Sequence, residues 1–189
     1  MANQAPKKIN LSRIKMLVLD VDGVMTDGKL VINADGSETK FFNALDSHGI
    51  RLWRRAGLKV ALLSGRVSEP TKHRARQIEA DYCLEECHNK LAALKELLKQ
   101  AGLSPEEIAY VGDDLPDLPP ICYAGFGAAV ANAVDEVKRY ADYVTGRAGG
   151  DGAVREVIEY ILKASGRWDD LMKRYLPDST GAVGDDANQ

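Results

Sequence analysis

Met16-Leu17-Val18-Leu19-Asp20-Val21-Asp22-Gly23-Val24-Met25-Thr26-Asp27-Gly28 is the stretch that decides the fold. Its first four residues form an apolar run of strand length, the pattern of a strand buried on both faces. The run stops at two aspartates one residue apart, and Gly23 permits the tight turn that must follow. Ligands of an open parallel sheet bind beyond the carboxyl ends of its strands, so Asp20 and Asp22 point into the expected site. There the first carboxylate can attack phosphorus. The second, displaced by the turn, can protonate a leaving oxygen and later activate water.

Outward from this strand, short apolar runs alternate with helix-periodic stretches, which predicts an α/β fold. Strands are expected at Met16–Leu19, Lys59–Leu63 and Ile108–Val111, with weaker ones at Asp81–Leu84, Gly127–Val130 and Asp142–Val144. Helices are expected at Ser47–Ala56, Glu69–Glu79, Leu91–Ala101, Asp135–Tyr140 and Gly152–Ala164. Lys29–Asn33 and Glu38–Phe42 flank an Asp35-Gly36 turn signal and read as a hairpin flap beside the first strand's end. The expected fold is a three-layer, Rossmann-like, mainly parallel sheet with helices on both faces, this hairpin at 29–42, and no large cap domain. Residues 1–165 form the domain; 166–189 are expected as a last helix and a flexible tail.

The bulk properties fit a globular protein. The 189 residues are 45% hydrophobic and 28% charged, and the formal net charge is −3. That charge supplies no basic field for nucleic acid, and no apolar segment is long enough for a membrane helix. Cys83, Cys87 and Cys122 are an odd set without framework spacing, which points to reduced thiols and a cytoplasmic protein. A small anionic substrate remains, since its site needs only local positive charge.

Three further stretches supply that chemistry. The second strong strand ends in Leu63-Ser64-Gly65-Arg66, where a hydroxyl and backbone donors suit a phosphoryl oxygen. Lys90 opens a predicted helix, adding its ammonium to the positive helix end. A third strand ends in Gly112-Asp113-Asp114-Leu115-Pro116-Asp117, whose carboxylates face those of the first strand as oxygen ligands for Mg²⁺. Thr26, Gly65, Arg66 and Arg76 are the substrate-binding candidates. Arg76 belongs to a basic cluster with Lys72, His73 and Arg74, which a solvated helix face would also explain. Gly125-Phe126-Gly127 lacks the third glycine of a dinucleotide fingerprint. Cys83, Cys87 and His88 lack a second ligand pair for zinc.

The series Asp20–Asp22, Ser64, Lys90, and Asp113 with Asp117 resembles the four motifs of the haloacid dehalogenase-like phosphatases. The phrases DVDGVMTDG, LSGR, YVGDDLPDL, ADYVT and GGDGAVREV are similar to its capless group acting on long-chain keto-acid sugar phosphates. The resemblance implies that Asp20 becomes an aspartyl-phosphate and Asp22 is the general acid and base. It implies that Ser64 and Lys90 hold the phosphoryl group, and that Asp20, Asp113 and the Asp22 carbonyl ligate Mg²⁺. Asp117 then orients the metal shell rather than carrying chemistry, and Asp114 does one or the other. The implied substrate is 3-deoxy-D-manno-octulosonate 8-phosphate, in lipopolysaccharide precursor synthesis, with a nine-carbon keto-deoxy sugar phosphate as the alternative. The implied assembly is a homotetramer in which a neighbour's flap and C-terminal segment close the pocket. Two features depart from the family pattern: Leu84-Glu85-Glu86-Cys87-His88-Asn89 before the lysine, and Asp151 in the glycine-rich stretch.

Other classes are a phospho-acceptor receiver domain or a retired oligomeric scaffold. In a receiver the acceptor stands alone on a middle strand.

Overall fold

A computed structural model of the chain describes residues 9–177. The main sheet comprises β1 (Met16–Leu19), β4 (Lys59–Leu63), β5 (Tyr82–Leu84), β6 (Ile108–Gly112), β7 (Phe126–Ala129) and β8 (Tyr143–Val144). Its order is β5-β4-β1-β6-β7-β8, and every adjacent pair is parallel. The inner strands are sheathed on both faces, so β1, β6 and β7 are buried at every residue. The edges β5 and β8 are only partly covered.

The helices are α1 (Ala44–Arg55), α2 (Glu69–Gln77), α3 (Lys90–Ala101), α4 (Leu118–Tyr123), α5 (Asp135–Tyr140), α6 (Ala153–Ala164) and α7 (Trp168–Met172). Right-handed crossovers put α1 and α2 on one face, because the chain there steps outward from β1 to β5. The reverse steps, from β5 past β1 to β8, put α3, α4 and α5 on the other. The packing agrees: α1 lies against α6, while α3 meets α4 and α4 meets α5.

Each long helix has a local cause. Asn43 and Asn89 cap α1 and α3 by accepting from Leu45 N at 2.8 Å and Ala92 N at 3.0 Å. Helix α6 buries Val154, Val157, Ile158, Ile161 and Leu162 on one stripe, about 1.5–3 kcal/mol for each large side chain. On α1, Trp53 is fully buried, and its indole N–H reaches the Lys59 carbonyl at 2.8 Å.

Two differences from the sequence expectation have physical reasons. Helix α4 begins Leu118-Pro119-Pro120, a sequence that looks like a loop. Both prolines fall in its first turn, where amide protons lack intrahelical partners anyway. The hairpin is shorter than expected: β2 (Val31–Ile32) pairs with β3 (Glu38–Thr39) only. No helix among the described residues is long and apolar enough to cross a membrane. Nothing larger than the hairpin is inserted between β1 and α1. The expected tail from residue 178 lies outside the described residues.

Candidate active site

The ends of β1 and β6 meet above the sheet, and backbone close approach fixes how. Gly23 has φ +95°, and a Cβ there would fall 2.0 Å from Asp113 Oδ2. The Asp113 carboxylate thus rests directly on the turn that follows Asp20. That turn is buttressed from beneath: a Cβ on Gly149 would fall 1.7 Å from the Gly23 carbonyl oxygen. Gly150 N donates to the Val24 carbonyl at 3.0 Å, and the Asn132 side chain accepts from Gly149 N at 2.7 Å. The glycine-rich stretch therefore acts here through its backbone, with Asp151 exposed. Asn132 was not among the sequence candidates, and nothing in its neighbourhood marks it.

Asp20, Asp113 and Asp117 each place one carboxylate oxygen within 4.8 Å of the others. Lys90, at the start of α3, lies 2.8 Å from Asp20 Oδ1 and 2.6 Å from Asp117 Oδ1. Asp117 accepts from Lys90 and the Tyr110 hydroxyl on Oδ1, both at 2.6 Å. Its Oδ2 accepts from Asp113 N at 3.1 Å and Asp114 N at 3.3 Å. Four donors engage this carboxylate, so its role is to orient Lys90 and the β6 turn. Asp114 is exposed and caps that turn through Leu115 N at 2.8 Å.

The electrostatics are those of crowded anions. Burial, then Asp117, pushes the Asp20 carboxyl well above its usual range, against the pull of Lys90. Asp113 is pushed up to about 6, chiefly by burial and then by Asp117. Burial works to lower Lys90, but the two carboxylates outweigh it and raise the ammonium above its ordinary value. Burial and the Asp117 charge likewise keep Tyr110 a protonated donor. A buried, oxygen-only donor set with surplus negative charge fits a hard divalent cation. Asp20 and Asp113 are the carboxylates with free capacity to hold one.

Asp22 sits apart from that trio. Its Oδ1 is 2.5 Å from Lys40 Nζ, and its Oδ2 is 3.8 Å from Arg66 NH1. Arg66 NH2 is 2.9 Å from Glu38 Oε1, and Lys40 Nζ is 4.0 Å from Glu38 Oε2. The four side chains close a ring of alternating charge. Glu38 also accepts from the Ser68 hydroxyl at 2.6 Å. Burial works to raise Glu38, yet Ser68, Lys40 and Arg66 together hold it below its usual range. Sequence reading named Asp22 and Arg66 but missed Lys40 and Glu38. The only signal was that both lie in the second hairpin segment, Glu38–Phe42, expected to project beside the end of the first strand.

The remaining candidates divide. Ser64 is buried at the end of β4, and its hydroxyl bridges the Arg66 backbone, donating to O at 3.0 Å and accepting from N at 3.2 Å. Gly65 adjoins it with open space where a Cβ would stand. Thr26 turns its side chain into its own loop. The residue is 2% exposed, its hydroxyl accepting from Gly23 N and Gly28 N, each at 3.3 Å, and donating to the Val21 carbonyl. Arg76 lies on α2. It contacts His73 Nδ1 at 3.0 Å and lines a different cavity of about 400 Å³, beside Lys72, Cys83 and Glu85. None of the three cysteines forms a disulfide, and only Cys87 is buried.

Comparison with known proteins gives a consistent picture. A family model for haloacid dehalogenase-like hydrolases matches residues 81–158. The chain is 41% identical to the 3-deoxy-D-manno-octulosonate 8-phosphate phosphatase of Escherichia coli K12, covering 83% of this chain and 84% of that one. The enzyme of that name from Moraxella catarrhalis, solved with magnesium, phosphate and a KDO molecule, is 37% identical. It superposes with a TM-score of 0.86 over 88% of this chain and 95% of that chain. The cobalt-bound Haemophilus influenzae enzyme is 40% identical, with a TM-score of 0.80 over 82% and 91% of the two chains.

Proposed function

We propose a division of labour at this site from the premise that the chain belongs to the haloacid dehalogenase-like hydrolases, within the 3-deoxy-D-manno-octulosonate 8-phosphate phosphatase family. It hydrolyses that sugar-acid phosphate to the free acid and inorganic phosphate, with magnesium as cofactor. The observation that carries the reading is the convergence of Asp20, Asp113, Asp117 and Lys90 at adjoining strand ends.

Asp20 is the nucleophile: its oxygen bonds to phosphorus as the bond to the sugar oxygen breaks. Lys90 works against the burial that favours the neutral form of Asp20, and flanks the phosphoryl oxygens. Asp22 delivers the proton to the leaving oxygen. It then takes a proton from the water that attacks phosphorus, freeing Asp20 and releasing phosphate. Ser64 and the backbone at Gly65 orient the phosphoryl group. Asp20, Asp113 and the Asp22 carbonyl would hold the magnesium ion, which when bound neutralises charge on the transferring group. Arg66 receives the substrate carboxylate.

The enzyme works as an oligomer, a homotetramer by analogy with its family. Leu30, Val31 and Ile32 of the hairpin, with Phe41, Leu45 and Val67 nearby in sequence, are exposed apolar side chains that a neighbouring copy would cover. Cysteines outside any disulfide fit a cytoplasmic location.

The test is phosphate release from 3-deoxy-D-manno-octulosonate 8-phosphate with and without Mg²⁺, beside a nine-carbon keto-deoxy sugar phosphate. Magnesium-dependent release that favours the eight-carbon substrate is expected. No release, or preference for the longer sugar, overturns the substrate assignment.

A further inference from the structure

The ring of alternating charge has one member with no part in the chemistry just described. Asp22 handles protons and Arg66 faces the substrate, while Lys40 touches Asp22. Glu38 reaches in from β3 and sets its Oε1 2.9 Å from Arg66 NH2. That contact is a close charge pair rather than an aligned hydrogen bond. Neither Glu38 Oε1 nor the buried Arg66 NH1 has a hydrogen-bond partner among the described residues. Arg66 is thus electrostatically satisfied but geometrically unsatisfied, with hydrogen-bond capacity on its planar fork left for a better-placed carboxylate. Glu38 is tethered elsewhere, through Oε2 to the Ser68 hydroxyl at 2.6 Å. It can give up Arg66 without losing its anchor.

We propose that Glu38 is a competing gate whose carboxylate occupies Arg66 in the free enzyme until a substrate carboxylate displaces it. The proposal rests on the reading that the substrate is a phosphorylated sugar acid. A carboxylate entering at Arg66 restores the alternation Lys40, Asp22, Arg66, anion. A neutral ligand tail cannot do so, because it would leave two cations facing one anion. Such a phosphate must bind with Glu38 still in place and the site narrowed. The hairpin thereby competes with an anionic substrate tail and leaves a neutral one untouched, so it lowers affinity for the sugar acid alone.

The experiment compares wild type, Glu38→Gln and Glu38→Asp with Mg²⁺ on two substrates. These are 3-deoxy-D-manno-octulosonate 8-phosphate and p-nitrophenyl phosphate, which has no carboxylate. Removing the competitor lowers KM for the sugar-acid phosphate roughly three- to tenfold in Glu38→Gln. It raises the preference for that substrate over p-nitrophenyl phosphate by a similar factor. The shorter Glu38→Asp, unable to span Ser68 and Arg66 together, moves KM in the same direction, and it keeps the test open should the glutamine variant fold poorly. On an Arg66→Met background the gain disappears. An unchanged or higher KM in both variants, or the same gain without Arg66, overturns the gate while leaving the phosphatase assignment intact. No release of phosphate from the sugar-acid substrate by wild type sinks both.

Discussion

The trio at the strand ends and the ring beneath the hairpin solve the same problem in opposite ways. Both gather charge where the sheet stops. The trio stacks like charges in a buried frame, with Lys90 as their one ion-pair partner among the described residues, and the Asp20 and Asp113 carboxyls are pushed upward. The ring alternates its signs, and Glu38 is held downward despite its cover. A site that must bind a divalent cation stores unspent negative charge. One that must exchange anionic ligands stays balanced and partly open, as the 41% exposed Arg66 side chain shows. The trio is held by strands and backbone; the ring depends on a two-residue-strand hairpin.

The largest expected effect breaks the trio. Asp20→Asn loses at least about 10³-fold in kcat, measured by phosphate release, and weakens magnesium binding. Its melting temperature without the cation does not fall, because the change removes a buried charge that the fold resists. Near-normal turnover would refute the nucleophile assignment.

A smaller effect separates the two regions. Lys40→Met removes the cation nearest Asp22 and lowers kcat roughly 10- to 100-fold, with partial recovery in Lys40→Arg. Magnesium affinity, read by titration calorimetry, stays near the wild-type value. If cation binding collapsed instead, the ring and the trio would be one coupled unit.

The smallest effect is a difference in sign with pH. Asp113 has a folded value of about 6 against 3.8 unfolded, so its contribution to stability is present below 3.8 and lost as pH rises through 6. Glu38, depressed below 4.5, contributes above that value and loses its contribution as pH falls through the lower folded one. In magnesium-free protein, Asp113→Asn therefore gains on wild type by roughly 3–6 °C in Tm between pH 4.5 and 7. Glu38→Gln falls behind wild type as pH climbs from about 3 to 5. Calorimetric scans with both curves moving the same way would erase the contrast.

The legible part of the site and the hidden part follow this division. Asp20, Asp113 and Lys90 announce themselves because each stands at the end of an apolar strand or the start of a capped helix. Local sequence places them at the sheet's carboxyl edge. Thr26 looked equally exposed from its loop, yet three hydrogen bonds fold its hydroxyl inward. Arg76, one turn along α2 from Lys72, faces another cavity because helical phase and the position of β5 direct it there. Lys40 carries no motif, and its 1% exposed side chain is a consequence of where the hairpin lands.

From residue order alone came the parallel sheet, the hairpin and the cluster of acids. Their causes are short range: strand-length apolar runs, Asp-Gly turn chemistry and asparagine caps. Which carboxylate is saturated, which arginine is left unsatisfied and which lysine reaches Asp22 were decided only by tertiary packing. Hydrogen-bond capacity is shared among groups distant in the chain, and Asp117, fed by Lys90, Tyr110 and two β6-turn amides, is the clearest instance.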